Sequence, residues 1–118
     1  MKGQIINLEW MPGFNINSSR GYNKKDIKKA METADYVENR GFGNYRVIKY
    51  SKYIAQIIYE DGTECTMDVR ENIKDFFNIP RITKSVRQSI EELLPIDVES
   101  NENGLILKSY NHREEFSK

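Results

Sequence analysis

One cysteine, one histidine and three prolines are all that this chain of 118 residues holds of those types. The lone Cys65 excludes an internal disulfide. With a single histidine, His112, the paired Cys/His spacing of a zinc site cannot be assembled, so no metal is expected. No apolar run approaches the ~20 residues a helix needs to cross a bilayer. The opening MKGQIINLEW lacks the uninterrupted hydrophobic stretch and small-residue cleavage site of a secretory leader. A reduced, cytoplasmic location with no membrane association is therefore expected. Charge of one sign is also missing: 18 basic residues balance 18 acidic ones, and no bulk field speaks for nucleic acid.

Catalytic sets are missing as well. Glu91/Glu92 and Glu114/Glu115 are neighbours in sequence, so on a helix they diverge. Cys65 falls on the inward face of a predicted strand, where a thiol behaves as a small hydrophobe. No acid–base pair or activated nucleophile emerges, and a non-enzymatic protein without a cofactor is the expectation.

What is present is a polar composition of globular type, 38% apolar and 31% charged with a mean hydropathy of −0.71. It suits one α+β domain over residues 1–118, with an N-terminal strand and loop over 1–22 and a frayed tail over 112–118. Charge is unevenly spread, with residues 1–60 at +4 and 61–118 at −4. Abundant Ile, Lys and Asn suggest an AT-rich genome, such as that of a low-GC bacterium, its phage or its plasmid.

The expected architecture is an antiparallel β-meander with one long amphipathic helix packed on it, a helix pair and a C-terminal β-hairpin. Gln4 to Glu9 reads as a strand ended by Pro12-Gly13, and Asn15 to Tyr22 as a polar loop. Asn23 is a good N-cap with Asp26 three residues on. Ile27, Ala30, Met31, Ala34 and Val37 form one apolar stripe, and Gly41 suits the position past a helix end. Tyr45–Tyr50, Tyr53–Glu60 and Thr63–Val69 read as strands. A two-residue turn at Asp61-Gly62 would set Ile58 opposite Cys65 and place Ile54, Ile58, Cys65, Met67 and Val69 on the packed face. A short helix over Glu71–Phe77 breaks at Asn78-Ile79-Pro80, and Ile82, Val86, Ile90 and Leu93 mark another that ends before Pro95. Asn103-Gly104 joins a last hairpin in which Glu99 faces Lys108.

Two predicted helices carry positive charge at the end where the dipole disfavours it. The first opens with Lys24, Lys25, Lys28 and Lys29 behind Arg20; the second opens with Arg81, Lys84 and Arg87. These residues are candidate anion or nucleic-acid contacts. Ser18-Ser19-Arg20-Gly21 before the lysines has the makings of a phosphate cradle, without the order of a Walker loop. Phe76 to Arg81 and the basic-faced helix after it look like a helix-turn-helix, although Lys74 or Asp75 takes the place of the small residue expected in its first helix. Arg40-Gly41-Phe42-Gly43 is spelled like the third strand of the RNA-recognition motif. Phe42 and Tyr45 are three apart, however, and would face opposite ways, so no pair of stacking aromatics forms.

Trp10, Phe14, Tyr22, Tyr53 and Tyr59 exceed what so small a core can hold, and are expected to supply a partner or dimer surface. Surface contact with a macromolecule is the function these features suggest, as in an inhibitor or accessory factor of a phage or mobile element. A protein is the favoured partner and self-association a further option. The alternative is a nucleic-acid-binding module built on the helix from Arg81 and the Lys24–Lys29 cluster.

Overall fold

The computed structural model describes residues 1–18 and 23–110. The chain is α+β, with mainly antiparallel sheets, and divides into two compact units. One comprises Met1–Trp10 and the chain from Tyr53 onward; the other is Met11–Lys52.

The first unit is built on a five-stranded sheet. Its strands are β1 (Lys2–Met11), β5 (Lys52–Tyr59), β6 (Glu64–Asp68), β7 (Ile96–Asn101) and β8 (Gly104–Tyr110), in the order β6-β5-β1-β7-β8. Helices α2 (Arg70–Phe77) and α3 (Lys84–Glu91) supply Ile73 and Ile90 to the core, which they share with Ile5, Tyr53, Ala55, Ile57, Ile96 and Val98. α2 ends where Asn78 adopts a left-handed conformation and the Ile79 amide reaches back to the Lys74 carbonyl at 3.0 Å. Thr83 caps α3 by accepting the Val86 amide. At the sheet's centre Gly3 is needed for space: a Cβ there would lie 2.8 Å from the Tyr59 ring and 3.0 Å from the Ile58 carbonyl.

The register between β5 and β6 corrects the expected pairing. Ile57, not Ile58, lies opposite Cys65, and Ala55 lies opposite Met67. The connection is one residue longer than a two-residue turn, with Tyr59 donating to the Thr63 carbonyl and Gly62 at φ +88. Asp61 accepts from both the amide and the hydroxyl of Thr63, which fixes the longer loop. That single residue inverts β5: Tyr53, Ala55 and Ile57 turn inward, and Ile54 and Ile58 turn to the other face. In the C-terminal hairpin Glu99 faces Ile106, not Lys108, because Asn101 pairs with Gly104 across the turn; a bulge after Leu107 shifts the register only beyond that pair.

The second unit is a three-stranded sheet of β2 (Phe14–Asn17), β4 (Asn44–Lys49) and β3 (Tyr36–Gly41) in the order β2-β4-β3, with α1 (Lys24–Thr33) against β4. Asn23 caps α1, accepting the Asp26 amide at 2.8 Å as its sequence suggested. Three expectations are corrected here. The expected meander is divided, its first strand being β4 of this sheet and the other two β5 and β6 of the five-stranded one, so that α1, ten residues long, packs on that first strand alone; Phe14–Asn17 is a strand where a polar loop was expected to begin; and Gly41 ends no helix. Val37 continues the helical spacing of α1, but pairing overrides it. The Asp35 amide donates to the Ile48 carbonyl at 2.9 Å, and the Asp35 carboxylate accepts the Tyr50 amide at 2.8 Å. These bonds turn the chain back along β4, where Tyr36 and Val37 suit a strand.

Candidate functional site

The β3–β4 hairpin ends in an unusual turn. Gly41 pairs with Asn44, leaving Phe42 and Gly43 as a two-residue loop with φ values of +53 and +75. Positive φ at both positions is type I′ geometry, which favours Asn, Asp or Gly. Gly43 meets that demand and Phe42 does not. A bulky residue held there costs roughly 1 kcal/mol or more. Its side chain recovers nothing inside the molecule, since it is fully exposed. Tyr36, Val37 and Tyr50 in the same unit are also exposed. The charges of β3 are tied locally: Glu38 takes the Arg40 guanidinium at 3.1 Å and the Tyr36 hydroxyl at 3.2 Å.

Behind this hairpin, Ser18, Lys24, Ile27, Lys28, Met31, Gly43 and Tyr45 line a cavity of about 410 Å³ between α1 and β4. The Ser18 hydroxyl accepts the Tyr45 amide at 2.6 Å. Two of the expected cationic residues, Lys24 and Lys28, are thus brought together one helical turn apart. Lys25 lies on the exposed surface of α1 and does not line the cavity. Arg20 and Tyr22 fall outside the described residues, as does most of the Ser18–Gly21 segment.

The basic end of α3 is built differently from expectation. Arg81 precedes the cap and is exposed, as is Lys84, but Arg87 is half-buried. Its guanidinium carbon lies 4.5 Å from the centroid of the Trp10 ring, a cation–π contact. Trp10 meets Tyr53 edge-on with centroids 5.6 Å apart, and the Tyr53 hydroxyl donates to Glu91 at 2.8 Å. Burial, then the hydrogen bond and charge of Glu91, push the Tyr53 phenol well above the ordinary tyrosine range, against a smaller opposing effect of Arg87. Arg87 and Glu91 therefore have a structural assignment one turn apart on α3, holding two aromatics between them. The helix-turn-helix spelling of this region serves a core.

Of the expected aromatic surface, Tyr53 is wholly buried and Trp10, Phe14 and Tyr59 are half-buried. Tyr59 leans over Gly3 and accepts from the Cys65 thiol at 3.7 Å. Phe42, Tyr36 and Tyr50 were not singled out for this surface. The available signal was Gly-Phe-Gly between two stretches rich in Tyr and Val, which spells a tight turn as readily as a helix end.

Among the described residues no group of three or more His, Cys, Asp or Glu could hold a metal ion, and no helix is long and apolar enough to cross a membrane. No family model matches the chain, and no curated protein or solved structure matches it.

Proposed function

We propose that this chain is a non-enzymatic binding protein that acts by surface contact with a protein partner, and that the β3–β4 hairpin carries the contact. The supporting observation is Phe42. An aromatic side chain placed at a left-handed turn position and wholly in solvent weakens the free protein, and only a partner would offset that cost. A small accessory or inhibitory factor of a phage or mobile element is the setting this suits, given the size and the AT-rich composition.

Replacing Phe42 by photoreactive benzoylphenylalanine keeps an aromatic at the tip. In cells expressing the protein, irradiation should give one discrete protein adduct from position 42 and none from Glu64 on β6. Equal adducts at both positions would remove the hairpin from the contact. The nucleic-acid alternative makes a different forecast: binding to duplex DNA would weaken steeply with salt, and replacing Arg81, Lys84 and Arg87 by Gln would flatten that slope by roughly two to three units. With Arg87 engaged by Trp10, only the exposed Arg81 and Lys84 remain to meet phosphate, and on the protein-partner reading duplex DNA should bind no better than to any weakly basic surface.

A further inference from the structure

The two edges of the five-stranded sheet differ in kind. β6 is five residues long and carries exposed Glu64, Thr66 and Asp68, a short and charged edge that discourages another strand. β8 is seven residues long with Leu105-Ile106-Leu107 in its middle. The Leu105 carbonyl is directed away from β7, since it accepts from the Asn72 side chain of α2 at 2.8 Å. The N–H and C=O of one strand residue point to the same side, and the side alternates along the chain. Leu107 therefore presents its N–H and C=O along the same outer edge, and β8 ends the sheet there among the described residues.

α2 runs beside this edge. Asn72, Asp75 and Phe76 with Leu105, Ile106 and Leu107 line a groove of about 290 Å³. The Asp75 side chain is in neither of the ion pairs found among the described residues, whereas Lys74 next to it is paired with Glu71 at 3.3 Å.

From these features we infer that the β8 edge and α2 form a slot for an extended peptide strand of a partner protein, with an apolar residue against Phe76 and a basic residue opposite Asp75. Each property of the occupant answers one of the slot. An extended backbone meets the outward N–H and C=O of Leu107, and an apolar side chain of the peptide meets half-buried Phe76, since Leu105 and Leu107 are themselves taken up in the core. A cation complements Asp75. A second copy of the chain fits less well. Two-fold pairing of β8 with itself would put both α2 helices on one face and set the Asp75 side of each groove against the same side of its copy, like charge against like. The inference is independent of Phe42 and the hairpin.

The test is amide hydrogen exchange on the full chain, with a synthetic peptide alternating Val and Thr around one central Lys as the probe. Exchange at Leu107 should slow by about tenfold at saturating peptide, while β6 amides stay unchanged. N-methylation of alternate peptide amides should abolish the effect. Asp75 is exposed, so Asp75→Lys leaves the fold intact; it should weaken the Lys peptide and favour its Glu counterpart. Unchanged exchange at Leu107, equal slowing in β6, or indifference to Asp75→Lys would each overturn the proposal. So would a concentration-dependent dimer that protects Leu107 without peptide, which would assign the edge to a second copy.

Discussion

The two units use their aromatic and apolar residues in opposite ways. In the unit built on the five-stranded sheet, Tyr53 is buried, Trp10 is held between it and Arg87, and thirteen buried residues among those described form one core. In the unit spanning Met11–Lys52 the buried apolar residues among those described are Ile27 and Val47, while Met11, Tyr36, Val37, Phe42 and Tyr50 are exposed. Burying an apolar side chain contributes about 1.5–3 kcal/mol relative to exposing it. The small unit forgoes much of that term and depends on backbone pairing and specific polar contacts. An element that gives up stability in this way is the one from which binding surfaces are ordinarily drawn.

That contrast breaks most readily at Gly13. A Cβ there would lie 2.0 Å from the Lys49 carbonyl and 2.6 Å from the Ser51 amide. Both neighbours are backbone and cannot swing aside. Gly13→Ala should cost about 3 kcal/mol or more. Residue-resolved hydrogen exchange should show protection lost in β2, β3 and β4 and kept in β1, β7 and β8, since the latter have their own core. Collapse of all strands together would show that the two units are one energetic body, and the contrast above would be only geometrical.

A smaller effect probes the larger unit. Tyr53→Phe removes the bond to Glu91 and should cost about 1 kcal/mol at neutral pH, less than a buried charged acceptor would imply because Glu91 is exposed. The pH dependence carries a sign. The folded state raises the Tyr53 phenol above its ordinary value near about 10, so it favours the protonated form. Its contribution is full below that value and is lost as pH rises from there toward the folded value. Urea midpoints should therefore fall with alkaline pH more steeply for the native chain than for Tyr53→Phe. Parallel curves would mean that the phenol ionises as easily folded as unfolded.

Much of the larger unit was legible because its local signals agree. Asn78-Ile79-Pro80 stops a helix by chemistry that needs no tertiary context, and Ile82, Val86 and Ile90 leave little choice of face. The inverted face of β5 was not legible. Tyr53-Ile54-Ala55-Gln56-Ile57-Ile58-Tyr59 carries apolar residues on both parities, so its orientation depends on loop length, and Asp61 sets that length through Thr63. In the smaller unit Val37 fits a helix stripe and a strand equally. The bonds that decide it come from Ile48 and Tyr50, which are remote in sequence. The candidate hairpin was hidden by that same ambiguity, because a Gly41 read as a helix end leaves Phe42 no turn to strain. The contact between Arg87 and Trp10 joins residues far apart in the chain, and no local pattern announces it.

The smallest expected effect has the opposite sign, and it compares one turn from each unit. In the β5–β6 loop the side chain suits the backbone: Gly62 holds φ +88, and Asp61 bonds both the amide and the hydroxyl of Thr63. In the β3–β4 loop Phe42 occupies a left-handed position that Asn would fill with less strain. Phe42→Asn should therefore stabilise the free protein by about 0.5–1 kcal/mol, seen as a raised denaturation midpoint with an unchanged slope. The same substitution removes the one aromatic that the hairpin holds wholly in solvent, so adduct formation from a photoreactive group at neighbouring Asn44 should fall. A variant that is more stable and no longer engages its partner would locate the strain at the contact. A variant less stable than the native chain would show that Phe42 packs against something in the free protein, and the hairpin would lose its claim as the docking element.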